Sequence, residues 1–137
     1  MAFEQELILA GRILLGGVAA VFGLNHFMKT DEMSGWAEAK GVPAARAAVL
    51  FTGGLLLLAG LGVMAYAAPV LSTGALVVFV LAASFWMHDF WNMEGEDRQN
   101  NIINFMKNLA IVGGLLLFAS LAASGTEVEY AVGLEIL

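Results

Sequence analysis

The chain has 137 residues, of which 60% are hydrophobic and only 13% charged, with a formal net charge of −6 and no cysteine. A soluble domain carries roughly 45–50% apolar and about 25% charged residues, so a soluble globular fold is excluded. The acidic balance excludes a basic nucleic-acid face, and the lack of cysteine excludes thiol exchange and thiolate metal sites.

Four hydrophobic runs lie near Leu7–Leu24, Ala44–Ala67, Val70–Phe85 and Ile102–Ala123. Each approaches the ~20 residues with which a helix crosses a hydrocarbon layer of roughly 30 Å. The expected fold is therefore an all-α integral membrane protein. Its four transmembrane helices form an antiparallel up-and-down bundle, with a short interfacial helix after the first. Residues 1–125 form one transmembrane domain and residues 126–137 a tail.

The first run follows Glu4 and Glu6, with no basic residue before Arg12. A cleaved signal peptide has a basic start, so this span is expected to be retained. Gly11, Gly16, Gly17, Ala19, Ala20 and Gly23 let another backbone come close, which is how helices associate in lipid. Arg12 is expected to snorkel outward, with Glu4 or Glu6 in reach, because an unpaired buried arginine is costly.

The connection from Asn25 to Pro43 has helical spacing of Met33, Trp36, Ala37 and Lys40. Thr30 or Asp31 can cap its start, and Gly41 followed by Pro43 can stop it. Residues 31–40 are read as a helix in the membrane interface, with Met33 and Trp36 dipping into the acyl boundary.

The second span carries Gly53, Gly54, Gly60 and Gly62. Ala67-Ala68-Pro69 makes the following span an antiparallel neighbour, and Pro69 suits a first helical turn. The third span places Ser84, His88 and Asn92 on one helical face, and the fourth places Asn101, Asn104 and Asn108 on another. Glu127, Glu129 and Glu135 alternate with apolar residues in the tail, which reads as a docked segment or a frayed end.

Lys29, Lys40, Arg46, Arg98 and Lys107 flank the first and third connections, and only Arg12 falls on the other side. Positive charge stays cytoplasmic. The 1–2 and 3–4 connections are thus expected in the cytoplasm, with both termini outside.

Polar side chains from three spans converge on that face. A candidate ligand pocket is drawn from His26, Trp86, His88, Trp91, Asn104, Lys107 and Asn108, since polar residues within spans are the default functional candidates. The aromatics suit a flat slot for a quinone headgroup, whose two carbonyls His88, Asn104 and Lys107 can bond. The plainer alternative is hydrated helix ends beside an aromatic belt. A haem between His26 and His88, or a metal at His26, His88, Asp89 and Glu94, lacks ligand spacing, so no metal site is expected.

Gly11-Arg12-Ile13-Leu14-Leu15-Gly16-Gly17 through Gly23-Leu24-Asn25-His26-Phe27 resembles the opening helix of the DoxX family. Trp36-Ala37 through Lys40-Gly41-Val42-Pro43 resembles that family's first loop. Phe85-Trp86-Met87-His88-Asp89-Phe90-Trp91, and Gln99-Asn100 through Asn104-Phe105-Met106-Lys107-Asn108-Leu109-Ala110, resemble its most recognisable part. The resemblance spans about residues 6–124 and implies a four-helix membrane protein. Some members of that family are membrane subunits of a thiosulfate:quinone oxidoreductase, and others are membrane partners in redox defence. It implies a quinone-interacting membrane subunit of a redox system. The alternatives are a non-catalytic anchor or assembly partner of a redox enzyme, and a small-lipid or isoprenoid-binding membrane protein. No intrinsic cofactor is visible. Quinone, the lipid bilayer, a redox partner chain and a second copy of the chain are the ligands and partners to expect. Whether the chain is itself an enzyme stays open, and no catalytic residue is singled out.

Overall fold

The computed structural model describes residues 2–132, which contain helices and no strand. Helix α1 spans Ala2–Met28, α2 Thr30–Ala39, α3 Ala45–Ala65, α4 Pro69–Met87 and α5 Gly95–Ala123, with a single 3-10 turn at Phe90–Asn92. Among the described residues, α1, α3, α5 and the stretch Pro69–Asn92 that begins with α4 are long and apolar enough to cross a membrane. The protein is an all-α membrane bundle of four spanning helices, with α2 as the short helix after the first.

The ends of these helices follow from local chemistry. Gly41 takes φ +74 just beyond α2, and a left-handed glycine is the ordinary stop for a helix. Pro69 opens α4, where its missing N–H is no loss. Helix α5 starts seven residues before the apolar run at Ile102. Glu96 and Asp97 occupy its first turn, where negative charge complements the helix dipole. Thr30 does not cap α2. Its hydroxyl bonds back to the carbonyls of His26 and Phe27, and Lys29 takes the cap position.

Helix α1 packs most closely on α3. Gly16, Ala20 and Gly23 on α1 are buried against the buried Gly53 and Gly60 on α3. A Cβ on Gly60 would stand 2.6 Å from both Ala20 N and Gly16 O, and one on Gly53 would stand 2.7 Å from the His26 Cβ. Backbone meets backbone here because no side chain intervenes. Helix α3 then packs on α4, and α4 on α5, whereas α1 and α5 approach each other only sparsely. The core joins Leu56, Ala59 and Val63 of α3 to Leu76 of α4 and to Leu115 and Phe118 of α5.

Helix α2, the 3-10 turn and the start of α5 gather at one end of the bundle. The α3–α4 link and residues 126–132 gather at the other. There the tail is docked: Gln5 Nε2 donates to Glu127 O at 3.0 Å, Glu129 N donates to Gln5 Oε1 at 3.0 Å, and Val132 N donates to Ala65 O at 2.9 Å. The rest of the alternating tail pattern, Leu134 and Glu135 included, lies outside the described residues.

Gly60→Ala is expected to destabilise the bundle by about 1–3 kcal/mol, because the added methyl meets main chain that cannot move aside. Gly54→Ala, which has open space around it, is expected to be neutral or slightly stabilising. Unfolding of the detergent-solubilised protein in a denaturant series compares the two. Equal stability of both variants would remove the α1–α3 contact as the main constraint.

Candidate functional site

At the α2 end, Lys40 Nζ contacts Asp89 Oδ1 at 2.5 Å, with the two side chains 26% and 20% exposed. Asn92 Nδ2 donates to the other Asp89 oxygen at 3.1 Å, and the Trp86 indole donates to Lys40 O at 3.0 Å. These bonds tie the end of α2 to the end of α4. Arg46 and Asp31 form a second ion pair, which is exposed and so contributes little.

The candidate pocket residues are not gathered in one place. His26 is buried between α1 and α3, where its Nδ1–H donates to Phe22 O at 2.8 Å and its ring meets Phe79 edge-on. His88 Nδ1 pairs with Asn101 Oδ1 at 2.9 Å, not with Asn108. Trp91 stacks edge-to-face with Phe90 and Phe105. Trp86 is held by Lys40 O, and Lys107 is exposed. Asn104 is half-buried at the start of α5. The shared face of Ser84, His88 and Asn92 does not form, because α4 ends at Met87 and His88 leaves the helical region. Among the described residues no three His, Asp or Glu side chains gather as metal ligands.

A different cavity lies deeper. A cleft of about 370 Å³ separates α1 from α4 and α5. Its walls are Leu14, Leu15, Val18, Ala19 and Phe22 of α1, Leu56 of α3, Leu76, Phe79, Val80 and Ala83 of α4, and Asn108, Ile111 and Leu115 of α5. Asn108 alone among them is polar. Leu14, Val18 and Phe22 remain exposed on the α1 wall, so the cleft is accessible from the side that faces hydrocarbon. Its volume is at the lower end of the ~300–1,000 Å³ typical of ligand sites. The small side chains of Ala19 and Ala83 were the sequence signal for it. They look like any other small residues in a span.

Arg12 departs most from expectation. It does not snorkel: it is 1% exposed, about 15 Å along α1 from its start. The tail covers it. Nη1 reaches Glu129 O at 3.4 Å and Nη2 reaches Tyr130 O at 3.3 Å, and the guanidinium lies 5.8 Å from the centre of the Tyr66 ring. Burial raises the Tyr66 phenol above its ordinary range, with the Arg12 charge opposing it. Main-chain carbonyls take the place of the carboxylate expected from Glu4 or Glu6.

A family model described as HR-like lesion-inducing matches residues 36–121. The inner membrane protein YphA of Escherichia coli (strain K12) is 30% identical over 122 residues, covering 86% of this chain and 84% of YphA. The chain belongs to the HR-like lesion-inducing family. This corrects the resemblance to the DoxX family. The matched region begins at Trp36 and leaves out the glycine-rich opening span on which part of that resemblance stood. Small residues and leucines recur in any closely packed membrane bundle, so they discriminate poorly between families. No solved structure matches the chain.

Asp89→Ala is expected to speed amide exchange at Lys40 and Gly41, because it frees the end of α2. Global stability should change by less than about 1 kcal/mol, as befits a partly exposed ion pair. Hydrogen–deuterium exchange in detergent micelles measures both. Unchanged exchange at Lys40 would mean that the Lys40–Asp89 bond does not hold α2.

Proposed function

We propose that the protein is a non-catalytic membrane module that holds one hydrocarbon chain, acyl or isoprenoid, in the cleft between α1, α4 and α5. The observation that carries this reading is the cleft wall: twelve apolar residues and a single amide, open on the exposed α1 side. Such a site selects by shape, and one polar group fixes orientation. Asn108 supplies that group. In hydrocarbon an unsatisfied amide costs roughly 1–3 kcal/mol, so a ligand carbonyl or hydroxyl beside Asn108 is favoured.

A prenylated quinone is the second reading. It joins an isoprenoid chain to a ring carbonyl that the Asn108 amide can bond. This reading stands on the Asn108 amide. The original pocket of His26, Trp86, His88, Trp91, Asn104, Lys107 and Asn108 contributes only Asn108 to it.

Ala83→Phe fills the cleft from α4. It is expected to lower co-purifying lipid or isoprenoid about tenfold while helicity is retained, and Asn108→Leu is expected to change which species is retained more than the total. Lipid extraction and mass spectrometry of gently solubilised protein report both, and identify any quinone. An unchanged lipid complement in Ala83→Phe would remove the cleft as a binding site.

The charge pattern supports an orientation with α2 and the turn before α5 in the cytoplasm, and YphA is named as an inner membrane protein. Single cysteines at Ser34 and Gly95 are then expected to resist an impermeant reagent in intact cells, while one at Ser124 labels. The opposite labelling pattern would reverse the topology.

A further inference from the structure

Arg12 is not explained by the cleft, whose lining it does not join. A guanidinium carries five N–H donors in a rigid fork. Here two of its nitrogens reach acceptors, both neutral main-chain carbonyls, at 3.4 and 3.3 Å. Those lengths exceed the usual 2.7–3.2 Å range. Nε, though fully buried, has no partner among the described residues. A phosphate oxyanion brings a full negative charge that a main-chain carbonyl lacks, and the guanidinium fork matches phosphate geometry.

The covering segment is held lightly. Its anchors are the reciprocal amide bonds with Gln5 and one bond to Ala65 O. Thr126, Glu127, Glu129, Tyr130, Ala131 and Val132 are all exposed. Tyr130 takes φ 58, as Ala44, Tyr66 and Ala68 take similar values at the helix ends, a left-handed conformation uncommon for a non-glycine residue. The carbonyls that meet Arg12 therefore belong to a surface strap rather than to the core.

We propose that Arg12 is the recognition group of a phosphate site within the bilayer, and that the strap over residues 127–132 occupies it when no ligand is bound. The ligand is a phosphate oxyanion carried on an anionic lipid headgroup, one whose charge no ammonium of the same headgroup offsets, and it enters at the end of α1 that the tail covers. Binding displaces the Glu129 and Tyr130 carbonyls and brings phosphate oxygens to the guanidinium fork. The site stands whether or not the cleft is filled.

Native mass spectrometry of the full chain tests this, with phosphatidylglycerol, phosphatidylcholine of the same acyl chains, and inorganic phosphate as probes. Phosphatidylglycerol is expected to be retained about tenfold over phosphatidylcholine. Arg12→Gln should abolish that preference. Arg12→Lys, which keeps the charge and loses the fork, should reduce it severalfold and serves if the glutamine variant does not fold. Gln5→Ala loosens the strap and should raise phosphatidylglycerol retention severalfold, a gain that a purely structural arginine would not give. Competition by inorganic phosphate at the same concentration supports a free anion as ligand, and its absence supports the lipid. Equal retention of both lipids by the natural protein overturns the proposal. So does an unchanged preference in the folded Arg12 variants, or a fall in retention in Gln5→Ala.

Discussion

The contact on which the bundle depends is the meeting of bare backbones between α1 and α3. In water, burial of apolar surface drives helices together. In a bilayer the lipid tails are as apolar as the side chains, and that drive is nearly absent. Dispersion must supply the attraction, and it falls off within a fraction of an ångström of the best separation. Gly16, Ala20 and Gly23 against Gly53 and Gly60 bring two main chains to that separation. His26 is part of the same seam: its Cβ packs over Gly53, and its ring nitrogen is spent on the carbonyl of Phe22.

An asymmetry follows. With α1 committed to α3, and α4 in contact with both α3 and α5, no comparable seam of small residues joins α1 to α5. The bundle is closed on three sides and relaxed on the fourth. The cleft occupies that fourth side, and its one amide comes from α5, which meets α1 only sparsely. At the α2 end, Lys40 and Asp89 fasten the short helix to the end of α4 across 49 residues of chain. The aromatic group of Phe85, Phe90, Trp91 and Phe105 fills the space beside it.

The spans were legible because each is a long apolar run with few charges. The α2 helix was legible from the spacing of Met33, Trp36 and Ala37. The glycines announced close packing without saying which helices would share it. The site was much less readable. The partner of His88 depends on where α4 stops, and nothing in Met87-His88-Asp89 marks that stop as strongly as Gly41 marks the end of α2. The cleft was hidden for a reason particular to membranes: Leu14, Val18 and Phe22 have the same character whether they face a ligand or lipid. The partner of Arg12 was hidden because every residue has a carbonyl, so no side chain in the tail identifies Glu129 and Tyr130 as acceptors.

The acceptors of Arg12 stand 117 and 118 positions after it in the chain. At synthesis rates of roughly 5–20 residues per second, they emerge on the order of ten seconds after the arginine. For that interval α1 must sit in the membrane with its guanidinium served by water and headgroups. The outward-reaching arginine suggested by the sequence thus describes the nascent chain, and the covered arginine describes the finished one. Order of synthesis therefore lets the carbonyls of Glu129 and Tyr130 replace hydration of the charge only after all four spans have been made.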